Sequence, residues 1–268
     1  MGGLDRQVLR IDWVTLKTEI LGTHQEAVKC LKRSSETGLL FSGSWDASVT
    51  AWDTRAMSRV QNISLPGKVY TMDTSGNMLV IGMAAREIYV YDVRKLEEPL
   101  QRRESSLKYQ TRCIRCSPDG AGFVCASIEG RVAVDYFDPS EDVQASKYAF
   151  KCHRAPAPPG LDPEGAAKAE IVYPVNAIAF HPVLTEAFLT GGSDGVVNVW
   201  DRRNKKRLRQ YPKLPTSISA LSFNRDGSLL AIASSYCYEE GEKDHPLDSI
   251  FIRAPDQSEF KTKPKETV

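Results

Sequence analysis

Long apolar runs and an excess of one charge are both absent from this sequence of 268 residues. Its 35 Lys and Arg residues nearly balance its 34 Asp and Glu residues. The formal net charge is therefore only +1, which predicts no overall attraction to nucleic acid or membranes. No apolar run approaches the roughly 18 residues of a membrane-spanning helix, and the N-terminus has no basic segment followed by an apolar one. The composition favours a soluble intracellular protein.

Residues for enzymatic chemistry are also scarce. The sequence has only four histidines, and His153, His181 and His245 occur in no pattern typical of a metal site or of a nucleophile's base. The Gly-rich segment Gly191-Gly-Ser-Asp-Gly195 precedes a predicted strand rather than the helix that a phosphate-binding loop requires. We therefore expect neither an enzyme nor a cofactor.

One pair of cysteines has the C-x-x-C spacing found in zinc and redox sites, Cys113 and Cys116. The pair lies in a predicted strand, where residues three apart point to opposite faces, so the two thiols cannot share a metal ion. No second C-x-x-C completes a tetrahedral site. We expect no metal and interpret the cysteines as small buried apolar residues in a reducing compartment.

What the sequence does contain is a repeat. The segment Gly43-Ser-Trp-Asp-Ala-Ser-Val-Thr-Ala-Trp-Asp53 returns as Gly192-Ser-Asp-Gly-Val-Val-Asn-Val-Trp-Asp201, with weaker copies between them. Each copy has a tight turn, a strand of alternating apolar residues and a Trp-Asp pair. Repeats of about 40 residues with four short strands each are typical of β-propellers, which mostly bind other proteins.

Short strands bounded by Gly, Asp, Pro or Asn fill the rest of the chain, and no segment carries a helical apolar stripe. Counting gives five repeats with their first three strands, after a leading fragment that supplies only a third and a fourth strand. The predicted fold is all-β, a WD-repeat β-propeller of five repeats and a partial blade.

The repeats predict one domain over residues 1–254. A Pro-, Gly- and Ala-rich insertion at 155–170 is expected to be a mobile loop, a charged loop at 239–246 splits the last hairpin, and the polar tail 255–268 is expected to fray. The strands near Val8 and at Ile250-Phe-Ile252 are expected to present unpaired edges, with poor solubility or dependence on a partner as the consequence.

A histidine, a serine and an aspartate with a tryptophan nearby permit two interpretations. His24, Ser42 or Ser44, and Asp46 could form a hydrolytic triad, which would require solvent exposure. The favoured interpretation is a structural network in which His24, Asp46 and Trp52 satisfy buried polar groups and stabilise the blade.

Basic residues at consecutive strand ends are the stronger functional signal. Arg112, Arg131 and Arg154 come from consecutive strand ends, so a propeller can gather them on one rim. Guanidinium groups bind carboxylates and phosphates with two hydrogen bonds each, which suits an acidic or phosphorylated peptide. Solvated surface is the alternative, and it is the favoured interpretation for Lys205-Lys-Arg207.

Five long segments carry a specific resemblance to a known family. They are Arg102-Arg-Glu-Ser-Ser-Leu-Lys-Tyr-Gln-Thr-Arg-Cys-Ile-Arg115, Ser127-Ile-Glu-Gly-Arg-Val-Ala-Val134, Lys147-Tyr-Ala-Phe-Lys-Cys-His-Arg154, Tyr173-Pro-Val-Asn-Ala-Ile178 and Leu230-Ala-Ile-Ala-Ser-Ser-Tyr236. With these segments the chain closely resembles the mitotic checkpoint WD-repeat family (Bub-three) from Gly2 to about Arg253. It is also similar, to a lesser extent, to the nuclear-pore messenger-RNA export WD-repeat family.

The resemblance implies a spindle-checkpoint adaptor that recruits checkpoint proteins to kinetochores. Its implied partners are an acidic motif (GLEBS) of checkpoint kinases and pseudokinases and a kinetochore scaffold that carries phosphorylated Met-Glu-Leu-Thr repeats. Trp45 and Arg112 are implied as contacts for the acidic motif, and Arg131 and Arg154 as readers of phosphate. The implied state is a monomer within a hetero-complex, nuclear and at kinetochores in mitosis, with no direct contact to nucleic acid or membrane.

The family's propeller has seven blades, which implies that about one and a half blades are missing ahead of Gly2. Part of the binding surface and the strand that closes the ring belong to that portion, so the resemblance leaves ring closure and binding by this form open. The alternative function is a nuclear-pore messenger-RNA export adaptor that uses the same face.

Overall fold

The computed structural model describes residues 1–157 and 169–261, which form two compact units, Met1–Phe123 and Val124–Val268. The division falls within a strand of the repeat array. The prediction of one domain over residues 1–254 stays a prediction. Each unit is built almost entirely from short antiparallel strands, as the period-two apolar patterns indicate.

The first unit contains short strands in chain order that form antiparallel sheets. They are β1 (Gln7–Ile11), β2 (Thr18–Thr23), β3 (Val28–Arg33), β4 (Leu40–Ser44), β5 (Ser48–Asp53), β6 (Ser58–Ser64), β7 (Val69–Ser75), β8 (Met78–Met83), β9 (Glu87–Asp92), β10 (Gln101–Glu104) and β11 (Thr111–Cys116). Strands β1 and β2 form a two-stranded sheet, whereas β3–β6 and β7–β10 each form a four-stranded sheet in up-and-down order. The leading fragment therefore supplies two strands, and the next two repeats supply four each.

Apolar residues of β4, β5, β7 and β8 form one core cluster in the first unit. Phe41, Val49 and Met72 are fully buried and belong to one cluster with Leu79 and Ile81 of β8. Because alternate residues of a strand point to opposite faces, each strand can bury an apolar row against the neighbouring sheet. The hairpin register brings Leu40 opposite Trp52, so the repeated tryptophan is placed on the sheet by the β4–β5 turn.

The second unit continues the same pattern after β12 (Gly122–Ser127), in which the division between the units lies. Its strands are β13 (Arg131–Tyr136), β14 (Tyr148–Lys151), β15 (Arg154–Pro156), β16 (Glu170–Val172), β17 (Val175–Phe180), β18 (Ala187–Gly192), β19 (Val197–Asp201), β20 (Lys206–Gln210), β21 (Ile218–Phe223), β22 (Leu230–Ser234) and β23 (Ser249–Arg253). A one-turn helix, α1 (Glu141–Gln144), connects β13 to β14.

The strand orders are β11-β12-β13-β14 and β17-β18-β19-β20 for the four-stranded sheets, and β21-β22-β23 for the last one. Strand β23 therefore ends its sheet, and its Ile250 and Ile252 are 72% and 65% exposed. The charged residues 239–246 lie in the connection between β22 and β23, where the sequence predicts a loop.

The prediction of a loop over residues 155–170 needs a correction at both ends of the segment. Its two ends are paired strands, because Arg154, Ala155 and Pro156 of β15 lie opposite Val172, Ile171 and Glu170 of β16. The composition of the segment hides these short strands, since its Pro and Ala residues signal a loop. The central residues 158–168 lie outside the described residues.

The prediction that the polar tail frays needs a second correction, which applies to residues 255–261. Gln257–Phe260 form a 3-10 helix with a capping box, in which the Asp256 carboxylate accepts a hydrogen bond from the Ser258 N–H at 2.7 Å. The Phe260 side chain is only 5% exposed and packs into the core of the second unit. One aromatic residue therefore anchors a segment whose composition is otherwise polar, and residues 262–268 lie outside the described residues.

Candidate peptide-binding sites

The predicted blade network is assembled in the first unit around the hydroxyl of Ser42. His24 contacts the Asp46 carboxylate through Nδ1 at 3.0 Å and the Ser42 hydroxyl through Nε2 at 2.7 Å. The Trp52 indole N–H donates to the same hydroxyl at 2.7 Å. Since His24 is only 7% exposed and Ser42 is fully buried, this set has no access to a substrate and is not a hydrolytic site.

The same arrangement recurs in the second unit with different residues. His153 contacts Asp194 through Nδ1 at 2.9 Å and the Thr190 hydroxyl through Nε2 at 2.8 Å. The Trp200 indole N–H donates to that hydroxyl at 2.9 Å. The sequence pattern around His153 was not interpreted as part of such a network. The signal that could have identified this histidine is the second Trp-Asp copy, because each copy requires a histidine ahead of it to complete the network.

Trp52→Phe is expected to lower the free energy of unfolding by at least about 1 kcal/mol, since it removes the indole hydrogen bond to Ser42. The change leaves the His24 contact to Ser42 in place. Urea denaturation monitored by circular dichroism measures the effect. Trp13→Phe, at a site 82% exposed, serves as the matched control and is expected to change stability by less than about 0.5 kcal/mol.

Trp45 lies in the tight turn between β4 and β5, where its ring is partly accessible. Its backbone N–H donates to the Ala27 carbonyl at 3.0 Å, which fixes the turn, and its side chain leaves the residue 37% exposed. The Lys68 ammonium lies 5.9 Å from the ring centre. An apolar surface with a cation at its edge fits an acidic peptide that also carries an apolar side chain.

Arg112 is half-buried on β11, also in the first unit. Strand β11 lies beside β7, because the Ile114 N–H donates to the Thr71 hydroxyl at 3.0 Å and the Cys116 N–H donates to the Asp73 carboxylate at 2.8 Å. Both bonds involve side chains of β7, so β11 is held by neighbouring polar groups as well as by its own sheet. This fixes the backbone that carries Arg112.

Arg131 and Arg154, both in the second unit, converge on Glu129. Arg131 Nε lies 3.8 Å from a carboxylate oxygen of Glu129, and Arg154 Nη2 donates to the Glu129 carbonyl at 2.9 Å. Arg131 begins β13 and lies opposite Lys151 of β14, whereas Arg154 begins β15 after the Cys152-His153 turn. The structure thus brings together the two residues that the sequence predicts as phosphate readers.

A glycine makes this approach of two strand ends feasible. Gly130 has a φ of +61°, and a Cβ at this position would lie 2.7 Å from the Cys152 carbonyl oxygen. The Cys152 N–H in turn donates to the Gly130 carbonyl at 2.9 Å. A larger residue would separate the Glu129 turn from the segment that leads into Arg154.

The charge of Arg154 is partly compensated by an exposed carboxylate. Arg154 Nη1 donates to Glu170 at 3.0 Å, and the side chains of the two residues are 17% and 46% exposed. Arg131 is more open, with its side chain 37% exposed. Rotation of the exposed Glu170 carboxylate into solvent would leave Arg154 Nη1 for an incoming anion.

The predicted sites belong to separate units. Trp45 and Arg112 lie in the first unit and Arg131 and Arg154 in the second. The prediction of one shared rim stays a prediction. Glu129 and Glu170 were not singled out from the sequence, because a carboxylate between arginines is recognisable only when the strand ends are placed.

The cysteines lie where strand periodicity predicts them. Cys113 and Cys116 are both on β11, buried and unbonded to other cysteines, and burial raises the pKa of the Cys116 thiol well above its usual value. Within residues 1–157 and 169–261, no group of three His, Cys, Asp or Glu side chains is arranged to hold a metal ion. None of the helices described is long and apolar enough to cross a membrane.

Comparison with known proteins gives the same fold. Residues 15–53 and 171–201 match the family model of the WD domain, G-beta repeat. A chain of a crystal structure of a mitotic checkpoint complex superposes with a TM-score of 0.70 over 87% of this chain and 68% of that one, at 15% identity. The all-β WD-repeat propeller prediction is confirmed.

Two relatives in particular decide the family. The chain is 52% identical to "Mitotic checkpoint protein BUB3.1" of Arabidopsis thaliana over 268 residues, which is 98% of this chain and 76% of the relative. It is 41% identical to "Spindle assembly checkpoint protein bub3" of Schizosaccharomyces pombe, over 94% of this chain and 76% of the relative. Identity to "Protein RAE1" of Arabidopsis thaliana is 39%, over 80% of this chain and 58% of that one. The chain therefore belongs to the bub3 family of mitotic checkpoint proteins.

Proposed function

We propose that this protein is a non-enzymatic adaptor of the spindle assembly checkpoint, which recruits checkpoint proteins to kinetochores. The observation that carries the proposal is the convergence of Arg131 and Arg154 on Glu129 in a chain of the bub3 family. Two neighbouring guanidinium groups, of which Arg154 has the exposed carboxylate of Glu170 as a counter-ion, suit a phosphorylated threonine or serine. The ligand of this site is a phosphorylated repeat of a kinetochore scaffold.

A second surface, in the first unit, binds the acidic GLEBS motif of checkpoint kinases and pseudokinases. The half-exposed ring of Trp45 contacts an apolar side chain of the motif, and Lys68 at the ring edge attracts its carboxylates. Arg112 pairs with a glutamate of the motif. The protein acts as a monomer within a hetero-complex, in the nucleus and at kinetochores in mitosis.

Trp45→Ala and Arg112→Ala are each expected to weaken binding of a synthetic GLEBS-type peptide by about 10- to 100-fold, because buried aromatic and arginine contacts dominate most interfaces. Isothermal titration calorimetry measures the affinity. Trp13→Ala and Arg225→Ala, at exposed positions outside both surfaces, are the matched controls. Unchanged affinity in both test variants would remove this assignment.

The alternative function is a nuclear-pore messenger-RNA export adaptor that uses the same surfaces. It is favoured by the 39% identity to "Protein RAE1" of Arabidopsis thaliana and the 33% identity to "Poly(A)+ RNA export protein" of Schizosaccharomyces pombe. Pull-downs from mitotic and interphase extracts separate the two functions. Recovery of a checkpoint kinase supports the function in the spindle checkpoint, whereas recovery of a nucleoporin alone supports the function in messenger-RNA export.

A further inference from the structure

A small aromatic cavity lies in the second unit, and none of the binding residues assigned above lines it. It has a volume of about 230 Å³ and lies between β14 and the β19–β20 hairpin. The Phe150 and Trp200 rings have their centres 4.5 Å apart, and Tyr148 stacks on Phe150 with centres 6.0 Å apart. Side chains at alternate positions of β14 thus form one wall, and the ring of the repeated tryptophan forms the other.

These rings are held in place by hydrogen bonds at their polar ends. The Tyr148 hydroxyl donates to the Arg202 carbonyl at 2.8 Å, and the Trp200 indole N–H donates to the Thr190 hydroxyl at 2.9 Å. Their polar atoms are thereby satisfied, and the part of the ring surface that lines the cavity is left for contact with a ligand. A cavity with fixed walls binds without the entropy cost of ordering its own side chains.

The rim of the cavity is basic. The Lys205 ammonium lies 4.8 Å from the centre of the Tyr148 ring, and Lys206 is exposed beside it. Neither lysine forms an ion pair with any residue in 1–157 or 169–261. Lys151 adds a third ammonium, 3.9 Å from Glu170. The one acidic residue of the lining, Asp201, is buried and accepts hydrogen bonds from Asn204, so the rim faces solvent with a positive charge.

The size of the cavity and the strand beside it favour a peptide as the ligand. A volume of about 230 Å³ is below the roughly 300–1,000 Å³ of pockets for whole small molecules, and it fits one large side chain. Strand β14 is the last strand of its sheet and pairs only with β13 among the strands described. Its outer edge offers both donors and acceptors, which a peptide backbone can satisfy, whereas a phosphodiester backbone offers acceptors only.

We propose that this cavity binds an acidic linear peptide, with one aromatic or large aliphatic side chain of the peptide entering the cavity and packing on the ring surfaces of Phe150 and Trp200 that line it. Acidic residues on either side of the anchor face Lys205 and Lys206, and the peptide backbone extends along β14. The lining of the site contains none of the residues used by the proposed function, which are Trp45, Arg112 and the arginine pair, although its Lys151 lies opposite Arg131.

The test uses fluorescence anisotropy with a fluorescein-labelled peptide of sequence EDEFEDE and the full chain. Replacing the central phenylalanine by glycine (EDEGEDE) is expected to weaken binding about tenfold or more, through loss of one buried aromatic side chain. The double variant Lys205→Glu, Lys206→Glu is expected to weaken binding about tenfold. The double variant Lys17→Glu, Arg225→Glu makes the same change of net charge at exposed positions elsewhere, and its affinity is expected to stay within about twofold.

Three results would overturn the proposal. The first is equal binding of EDEFEDE and EDEGEDE, or no binding of either. The second is that Arg112→Ala loses binding of EDEFEDE while the Lys205 and Lys206 double variant binds it as tightly as the unaltered chain does. This result would assign the peptide to the surface of the proposed function. The third is tighter binding of an oligothymidine than of EDEFEDE with the same dependence on Lys205 and Lys206, which would assign the cavity to single-stranded nucleic acid. Loss of the GLEBS-type interaction alone leaves this proposal intact.

Discussion

Phe260→Ala is expected to lower the free energy of unfolding by about 3–5 kcal/mol, the usual cost of emptying a buried aromatic site. Phe260 packs against His181 with ring centres 4.6 Å apart and against Phe223 with centres 5.8 Å apart. Removing the ring leaves a cavity beside a buried histidine and releases the 3-10 helix. Chemical denaturation of the full chain measures the effect.

The carboxylate next to Phe260 explains why the helix docks as a unit. Glu259 accepts from Arg253 at 2.9 Å and lies 3.0 Å from Arg209, with its side chain 6% exposed. Burial opposes ionisation of Glu259, but the bonds to Arg253 and its neighbours outweigh burial, so its pKa is lowered from the usual value. Ionised Glu259 therefore stabilises the folded chain at pH values above the pKa that it has in the unfolded chain. This contribution is lost as the pH falls through its lower pKa in the folded chain.

The control for Phe260→Ala is Trp13→Ala, which removes an aromatic ring that is 82% exposed. Its expected change is within about 0.5 kcal/mol. A loss below about 1 kcal/mol in Phe260→Ala would mean that the C-terminal segment is not docked in solution, contrary to the contacts described.

The double variant Arg131→Ala, Arg154→Ala is expected to weaken binding of a phosphorylated Met-Glu-Leu-Thr peptide by about 100-fold. Each charge-assisted hydrogen bond to a phosphate contributes about 1.5–3 kcal/mol, and two guanidinium groups are lost. Isothermal titration calorimetry at pH 7.5 gives the affinity. Binding is also expected to weaken below about pH 6, where the phosphate takes up its second proton.

Two comparisons make this result specific. Arg131→Lys with Arg154→Lys keeps the charge but removes the paired donors, so an intermediate affinity is expected. Arg225→Ala removes an exposed arginine elsewhere and is expected to have no effect. If the unphosphorylated peptide binds as tightly as the phosphorylated one, the arginine pair is not a phosphate reader.

Much of the fold follows from local sequence patterns. Alternating apolar residues bounded by turn residues predict strands over Val175–Phe180 and Ile218–Phe223, which are the bounds of β17 and β21, because a strand with one buried face requires period two. The Trp-Asp repeat predicts which histidine, aspartate and tryptophan meet around Ser42. These patterns depend on neighbours within one repeat, so they are visible along the chain.

Other features depend on residues that are distant in sequence. The pairing of β15 with β16 brings together segments whose composition indicates a loop, and only the backbone bonds between them make them strands. The docking of Phe260 depends on a gap beside His181, more than 70 positions earlier in the chain. No local pattern marks a gap, because packing is a property of the assembled sheets.

The features of the candidate sites also fall into those that the sequence shows and those that only the folded chain shows. The sequence by itself determined the blade pattern, the strand ends that carry Arg131 and Arg154, and the resemblance to the bub3 family. Only the tertiary structure decided that both arginines meet at Glu129, that Glu170 is the exposed counter-ion of Arg154, and that Phe150 and Trp200 line a cavity. The physical reason is that side-chain chemistry and strand period are encoded residue by residue, whereas charge compensation and cavities arise between strands that meet only in the folded chain.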